Sequence, residues 1–125
     1  MPYAVARKLL GKEKIIGLSV ENLQDAIDAN ALDIDYIGIS PVFNTATKTD
    51  TAKALGLEGI HDITRISGHP AVGIGGIHPS NAADIITAGA VGISVVSAIM
   101  SAVNPKEAAS QLKSIVDQAR LQRGI

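Results

Sequence analysis

Four short apolar runs, each followed by a segment with helical periodicity, constrain the fold of this chain more than any other feature. The runs begin near residues 15, 36, 71 and 92, which gives spacings of 21, 35 and 21 residues. Strands that are apolar along their whole length are typical of parallel sheets covered by helices. Alternation of strand and helix predicts a parallel sheet with right-handed crossovers. The sequence therefore predicts an α/β fold of four βα units, forming a single domain over residues 1–125.

Capping residues and glycines set the boundaries of the predicted segments. Asn22 and Asn104 are typical N-cap residues, and Pro105 suits the first position of a helix. Gly89 is typical of a helix end. The predicted segments, in chain order, are helix 3–10, strand 15–20, helix 23–30, strand 36–40, helix 57–66, strand 71–74, helix 82–88 capped by Ser80 or Asn81, strand 91–96, a short turn at 98–102, and a last helix from 105 to about 122.

Two loops that follow neighbouring strands point to a phosphate site. Gly75 and Gly76 form the first loop, and Val96 and Ser97 belong to the second. N–H groups converge where a glycine turn enters a helix, and they bind anions there. In (β/α)8 barrels a phosphate site is built after strands 7 and 8, but such a barrel typically needs about 250 residues. The 125 residues are about half of such a barrel. Because the polar stretches follow strands and the last two loops match this phosphate pair, the sequence favours the second half of a (β/α)8 TIM barrel over the alternative, a small doubly wound sheet.

Composition argues against several classes of function. A net charge of −1 and an aromatic content of 2% argue against nucleic-acid binding. The absence of cysteine excludes disulfides and thiolate metal sites. No apolar run reaches the roughly 18 residues of a membrane span, and the first residues lack the apolar region of a signal peptide. We therefore expect a cytoplasmic protein with small-molecule phosphate ligands and no nucleic-acid or membrane partner.

The segment between the second strand and the next helix carries four threonines within residues 45–51. Loops this long are often functional. Hydroxyls on Thr45, Thr47 and Ser19 can donate to phosphate oxygens, and the Lys48 ammonium can stabilise developing negative charge. Taken singly, such residues more often cap turns or stay solvated. Their position at successive strand ends indicates a site for a phosphate ligand.

Other polar residues carry weaker signals. His61, His69 and His78 lack the spacing of a metal site. We expect His61 and His69 at the surface, and His78 close to the predicted site, where it shapes the loop or meets the ligand. Asp33 and Asp35 precede a strand, at the wrong end of a barrel for catalysis. We expect both carboxylates to be solvated turn residues.

In order and spacing, the loops resemble those of thiamine-phosphate synthase. The matching motifs are Gly-Leu-Ser-Val at 17–20, Thr-Ala-Thr-Lys at 45–48, Gly-Ile-Gly-Gly-Ile at 73–77 and Val-Val-Ser-Ala-Ile at 95–99. The resemblance covers the whole chain, but only the C-terminal half of that family's barrel. Members of the family join hydroxymethylpyrimidine diphosphate to thiazole phosphate, and pyrophosphate leaves with the assistance of Mg²⁺.

The resemblance implies roles for eight residues. Ser19 and Lys48 are implied to contact the pyrimidine diphosphate as catalytic residues. The other implied substrate-binding residues, which line or hold the thiazole phosphate, are Thr45, Ala46, Thr47, Gly76, Val96 and Ser97.

Some features depart from the family pattern. Ser40 and Asn44 stand where Gly and Pro are common, and Glu21 stands where a histidine is frequent. The family's Mg²⁺ ligands lie on an Asn-Asp pair and a Gly-Gln-x-Asp motif of the N-terminal half. That second motif commonly precedes a sequence like Met1-Pro2. The resemblance therefore implies a fragment without metal ligands of its own.

Three hypotheses follow. The first is a thiamine-phosphate synthase half with weak or absent activity alone. The second is a non-catalytic phosphate-binding half-barrel, in which two copies close a barrel as a homodimer, because two open edges and an exposed apolar inner face need covering. The third is an isomerase similar to a related thiazole tautomerase family. That family uses a histidine near position 21, so Glu21 and the Thr-Ala-Thr-Lys loop favour the synthase.

Overall fold

The apolar runs form one parallel sheet whose strands follow chain order. The computed structural model describes residues 3–43 and 54–125. Its sheet has the order β1-β2-β3-β4, and each neighbouring pair is parallel. The elements are α1 (Tyr3–Leu10), β1 (Gly17–Val20), α2 (Leu23–Ala29), β2 (Tyr36–Ile39), α3 (Gly56–Ile66), β3 (Ala71–Ile74), α4 (Ala82–Ala88), β4 (Gly92–Ser94), α5 (Ser97–Met100) and α6 (Pro105–Arg123). The predicted α/β class and element order are confirmed.

Two predicted helix starts are confirmed in detail. The Asn22 side chain accepts a hydrogen bond from the Asp25 N–H at 2.8 Å, and the Asn104 side chain accepts one from the Glu107 N–H at 3.1 Å. Each bond satisfies a backbone donor that has no partner within its own helix, which is worth about 1 kcal/mol. These local bonds explain why both helices begin where the sequence predicts.

Three predicted segments differ from the structure by more than one residue. The fourth strand ends at Ser94, not at residue 96. The first strand begins at Gly17, not at residue 15, because the Ile16 N–H donates to the Asp35 carboxylate at 2.7 Å instead of to a neighbouring strand. Ile15 is correspondingly 76% exposed. The predicted turn after β4 contains the short helix α5, in which the Met100 N–H donates to the Val96 carbonyl at 2.8 Å.

One face of the sheet packs against the helices and forms the core. Ile37 and Ile39 of β2 are fully buried, as are Ile60 of α3 and Ile85 of α4. A Cβ added to Gly73 would lie 2.9 Å from Ile85 Cγ2, so the helices approach β3 too closely for a side chain there. Burying each isoleucine side chain contributes about 1.5–3 kcal/mol. This packing holds β3 in the centre of the sheet.

The opposite face of the sheet carries small and polar residues beside a few aliphatic ones. Gly38 shares this face with Ile74, since a Cβ added to Gly38 would lie 3.0 Å from Ile74 Cδ1. Ser19 is level with Gly38 in the sheet, and Ser94 is level with Ile74; both serines are exposed. The expected apolar inner face is therefore only partly apolar.

Helix α1 is fastened to the loop between α2 and β2 by hydrogen bonds. Arg7 donates to the Asp33 carbonyl at 2.7 Å and contacts the Asp35 carboxylate at 3.4 Å. The Tyr3 hydroxyl accepts from the Asp33 N–H at 3.0 Å. The Ile16 N–H and the Arg7 guanidinium hold the pKa of Asp35 below its ordinary value of 3.8. Asp35 is exposed in a turn, as expected, and its carboxylate in addition joins α1 to the start of β1.

His61 and His69, both expected at the surface, differ in their burial. His61 is exposed on α3, as expected. His69 is half-buried, with Nε2 3.0 Å from the Ala29 carbonyl oxygen, so the expectation of a surface residue is wrong for it.

Among the described helices, none has the length and apolar character needed to cross a membrane.

Replacing Asp35 by asparagine is expected to destabilise the fold near neutral pH. The lowered pKa means that the ionised carboxylate stabilises the folded state above pH 3.8, and that this stability is lost as pH falls through the lower folded-state pKa. The free energies of unfolding in urea of Asp35→Asn and of the unmodified chain should therefore differ at pH 7 and become equal in strong acid. Asp33→Asn is the matched control, since its carboxylate bonds to no residue that the structure describes. An equal difference in free energy of unfolding at both pH values would contradict this role of the Asp35 charge.

Candidate functional site

A tight glycine turn follows β3. Gly75 has φ of 107° and Gly76 has φ of 67°, a region of backbone conformation that favours glycine. A Cβ added to Gly75 would also lie 3.2 Å from Pro41 Cα. Backbone conformation therefore requires glycine at both positions, and crowding by Pro41 adds to the requirement at Gly75.

Asn81 fastens this turn from the start of α4. The sequence predicted that Ser80 or Asn81 caps α4, but the Asn81 side chain makes no capping hydrogen bond. Instead, Asn81 Nδ2 donates to the Gly76 carbonyl at 3.0 Å, and Asn81 Oδ1 accepts from the His78 N–H at 2.9 Å. Asn81 thus occupies the predicted N-cap position, but its side-chain oxygen accepts from the turn instead of from the helix.

The loop after β4 lies beside the glycine turn. Ile74, the last residue of β3, is level with Ser94, the last residue of β4. Val96 is 73% exposed, and Ser97 begins α5. The backbone N–H groups of Gly76, Val96 and Ser97 donate to no residue within 3–43 or 54–125. Two loops with unpaired N–H groups thus follow adjacent strands, which is an arrangement suited to an anionic ligand.

Ser19 lies farther along the same sheet. It is on β1, so the whole of β2 separates it from the glycine turn on β3. Its hydroxyl is exposed and bonds to none of the described residues. Beyond the strand end, the Glu21 N–H donates to the Asp25 carboxylate at 3.0 Å. Ser19 thus lies on the same sheet as the glycine turn but two strands away from it, and its contact with a ligand stays a prediction.

The described residues on either side of the threonine-rich segment lie next to the glycine turn. The Phe43 N–H donates to the Gly75 carbonyl at 3.1 Å, and the Leu55 N–H donates to the Pro41 carbonyl at 3.0 Å. The described flanking residues are thereby held near Gly75 and Pro41. Four predicted site residues lie outside the described residues: Thr45, Ala46, Thr47 and Lys48.

The described residues contain no cluster of side chains that would bind a metal ion without a substrate. Mg²⁺ in proteins is usually held by one or two carboxylates together with substrate phosphate oxygens. Within residues 3–43 and 54–125, no group of three or more His, Cys, Asp and Glu side chains could hold a metal ion. Mg²⁺ stays a prediction from the family resemblance.

Sequence reasoning left the role of His78 open between loop and ligand and assigned Asn81 only a capping role. His78 Nδ1 lies 2.7 Å from Ser80 Oγ, and His78 Nε2 lies 3.2 Å from Asn81 Nδ2. The only sequence signal was an asparagine five residues after Gly76, which is equally typical of an N-cap. The three-dimensional turn was needed to distinguish the two roles.

Comparison with known proteins identifies close relatives. The family model described as thiamine monophosphate synthase matches residues 1–99. The thiamine-phosphate synthase of Albidiferax ferrireducens is 47% identical over 117 residues, which is 94% of this chain and 53% of that protein. The thiamine-phosphate synthase of Moorella thermoacetica is 45% identical over 120 residues, or 96% of this chain and 57% of that protein.

A solved structure agrees with these relatives. The thiamine phosphate pyrophosphorylase of Pyrococcus furiosus superposes with a TM-score of 0.85 at 37% identity, and the match covers 95% of this chain and 56% of that one. The chain thus spans just over half the length of the relatives that it matches. On the extent of the family match and on these identities, the chain belongs to the thiamine monophosphate synthase family.

Proposed function

We propose that this chain is the thiazole-phosphate-binding half of a thiamine-phosphate synthase, and that it has little or no activity alone. The observation that carries the proposal is the pair of loops at the ends of β3 and β4. Their N–H groups at Gly76, Val96 and Ser97 have no partner among the described residues. A phosphate monoester offers several acceptor oxygens to such groups. A cytoplasmic location is part of the proposal, and the lack of cysteine favours it.

The proposed reaction needs charge stabilisation and positioning more than acid–base chemistry. The carbon–oxygen bond between the pyrimidine methylene and its diphosphate breaks, pyrophosphate leaves, and the thiazole nitrogen bonds to the methylene carbon. Negative charge develops on the departing pyrophosphate, and the Lys48 ammonium is proposed to stabilise it. The Ser19 hydroxyl is proposed to donate to the same diphosphate.

The phosphate of the thiazole compound is proposed to anchor the substrate in the site. Held by the N–H groups at Gly76, Val96 and Ser97, it fixes the ring so that its nitrogen faces the methylene carbon. Thr45, Ala46 and Thr47 are proposed to line the same site. Positioning of two reactants in this way can supply several kcal/mol of the barrier reduction. Binding of the thiazole phosphate is therefore the property that this chain is expected to retain without the rest of a synthase.

Calorimetry with the purified chain tests the binding half of the proposal. Thiazole phosphate is expected to bind, whereas the corresponding thiazole alcohol, which lacks the phosphate, should bind at least about tenfold more weakly because charge-assisted hydrogen bonds are lost. Gly76→Ala should weaken binding, since φ of 67° disfavours alanine and the turn must change. Gly68→Ala is the matched control, because Gly68 is exposed and has ordinary φ. Equal affinity for thiazole phosphate and for the thiazole alcohol would contradict the proposal.

An assay of pyrophosphate release tests the catalytic half. The 125-residue chain alone is expected to release little or none. Mixing it with the separately expressed part of the Moorella thermoacetica synthase that lies outside the matched 57% should give release. Lys48→Ala should then lower the rate by roughly 100-fold or more, whereas Lys106→Ala on exposed α6 should not. Full turnover by the chain alone would overturn the need for both halves. A thiazole tautomerase-like isomerase would bind thiazole phosphate but release no pyrophosphate in any mixture.

A second candidate function is a non-catalytic half-barrel that closes by pairing with another copy. No described strand pairs with the outer edge of β1 or β4. Helix α1 has no buried residue, and its Val5 and Leu9 are 46% and 70% exposed. An apolar groove of about 290 Å³ lies along the β4 edge and α6, lined mainly by Gly92, Ile93, Val95, Ile99, Leu112 and Val116. A second copy that paired its β1 with this edge would bring its α1 close to the groove.

Light scattering decides this second candidate. If two copies close a barrel, the chain should have about twice its 12.9 kDa mass in solution. Leu9→Glu should then shift the chain toward the monomer, because a charge in an apolar interface costs several kcal/mol. Leu121→Glu, at a similarly exposed position of 72%, is the control and should leave the mass unchanged. A monomer at micromolar concentration with a cooperative thermal transition would rule the homodimer out.

A further inference from the structure

The side chain of His78 connects two residues at the start of α4. Its Nδ1 lies 2.7 Å from Ser80 Oγ, and its Nε2 lies 3.2 Å from Asn81 Nδ2. Both distances are within the range of hydrogen bonds. The imidazole is thus in contact with the residue that holds the carbonyl of Gly76.

Two backbone groups fix the orientation of the Asn81 amide. Oδ1 accepts from the His78 N–H at 2.9 Å, and Nδ2 donates to the Gly76 carbonyl at 3.0 Å. Rotating the amide by half a turn would place NH₂ against N–H and oxygen against oxygen, so both bonds would be lost. The atom that faces His78 Nε2 is therefore the amide nitrogen, with its second hydrogen available.

This orientation determines the tautomer of His78. Because Asn81 Nδ2 can only donate, Nε2 must carry the lone pair and accept. The proton of the neutral ring is then on Nδ1, which donates to Ser80 Oγ. The chain of contacts runs from the Ser80 hydroxyl through the imidazole and the Asn81 amide to the Gly76 carbonyl.

We propose that His78, as its Nδ1–H tautomer, is a positioning residue for the glycine turn. By accepting from Asn81 Nδ2 it keeps that amide in the orientation that holds the Gly76 carbonyl. The held carbonyl fixes the peptide plane between Gly76 and Ile77, and with it the turn that carries the Gly76 N–H. The consequence for ligand affinity rests on the proposed binding of thiazole phosphate at this turn. The tautomer and the restraint on Gly76 are properties of the chain without ligand.

Nitrogen-15 NMR of the imidazole rings tests the tautomer directly. His78 is expected to show a protonated Nδ1 and an unprotonated Nε2 when its ring is neutral. His61, exposed on α3 and without an amide partner among the described residues, is the internal reference. An Nε2–H tautomer at His78 would overturn the proposal whether or not the chain binds phosphate compounds.

Two substitutions at His78 then separate positioning from mere bulk. In His78→Gln, the amide oxygen can replace Nε2 as an acceptor, so the Gly76 amide resonance and the affinity for thiazole phosphate should stay close to those of the unmodified chain. In His78→Ala, the Gly76 resonance should shift and the affinity should fall about 2- to 12-fold, the equivalent of one hydrogen bond. His61→Ala should change neither. Unchanged unfolding temperatures confirm that each variant is folded.

The outcomes distinguish this inference from the function on which it rests. If the unmodified chain binds no thiazole phosphate, the proposed function fails. The role of His78 is then still tested by the tautomer of its ring and by the shift of the Gly76 amide resonance in His78→Ala. If the unmodified chain binds and His78→Ala binds equally well with an unshifted Gly76 resonance, the positioning role fails and the proposed function stands. Loss of affinity in His78→Gln as large as in His78→Ala would also contradict the role of the acceptor at Nε2.

Discussion

The parallel pairing of β3 with β2 and β4 is the constraint on which the site depends. Parallel strands end at the same edge of a sheet, so this pairing places the glycine turn beside the loop at Val96 and beside the segment that leaves β2. The pairing in turn requires Gly73, because α4 packs so closely on β3 that a side chain there would meet Ile85. Core packing and the exposure of backbone N–H groups at the strand ends are thus consequences of one arrangement.

The parts of the fold that the sequence predicts are those that neighbouring residues determine. Asn22 and Asn104 cap their helices as expected, since each bonds to an N–H three residues away. Expectations failed where another group competes for a backbone donor or for a side-chain acceptor. Asp35 takes the Ile16 N–H from a position 19 residues away, and the Asn81 side-chain oxygen accepts from the His78 N–H rather than from its helix. Sequence periodicity carries no information on such competition.

The candidate site, too, could be predicted from the sequence only in part. Gly76, Val96 and Ser97 lie at adjacent strand ends, as expected from the alternation of strands and helices, whereas Ser19 lies two strands away from the glycine turn. The expectation of an apolar inner face was only partly right, because Gly38 and the exposed Ser19 share that face with Ile74. A partly polar face beside unpaired N–H groups suits a polar ligand better than a dry interface. This is why we favour a substrate-binding half of a synthase over a half-barrel that only assembles.

A structure of the chain with bound thiazole phosphate is the most direct test of this account. The phosphate is predicted to lie between the two loops, within hydrogen-bonding distance of the backbone N–H groups of Gly76 and Ser97. Its thiazole ring is predicted to extend toward the inner face of the sheet that carries Ser19. A phosphate bound elsewhere on the chain, with both loops free of ligand, would contradict the account.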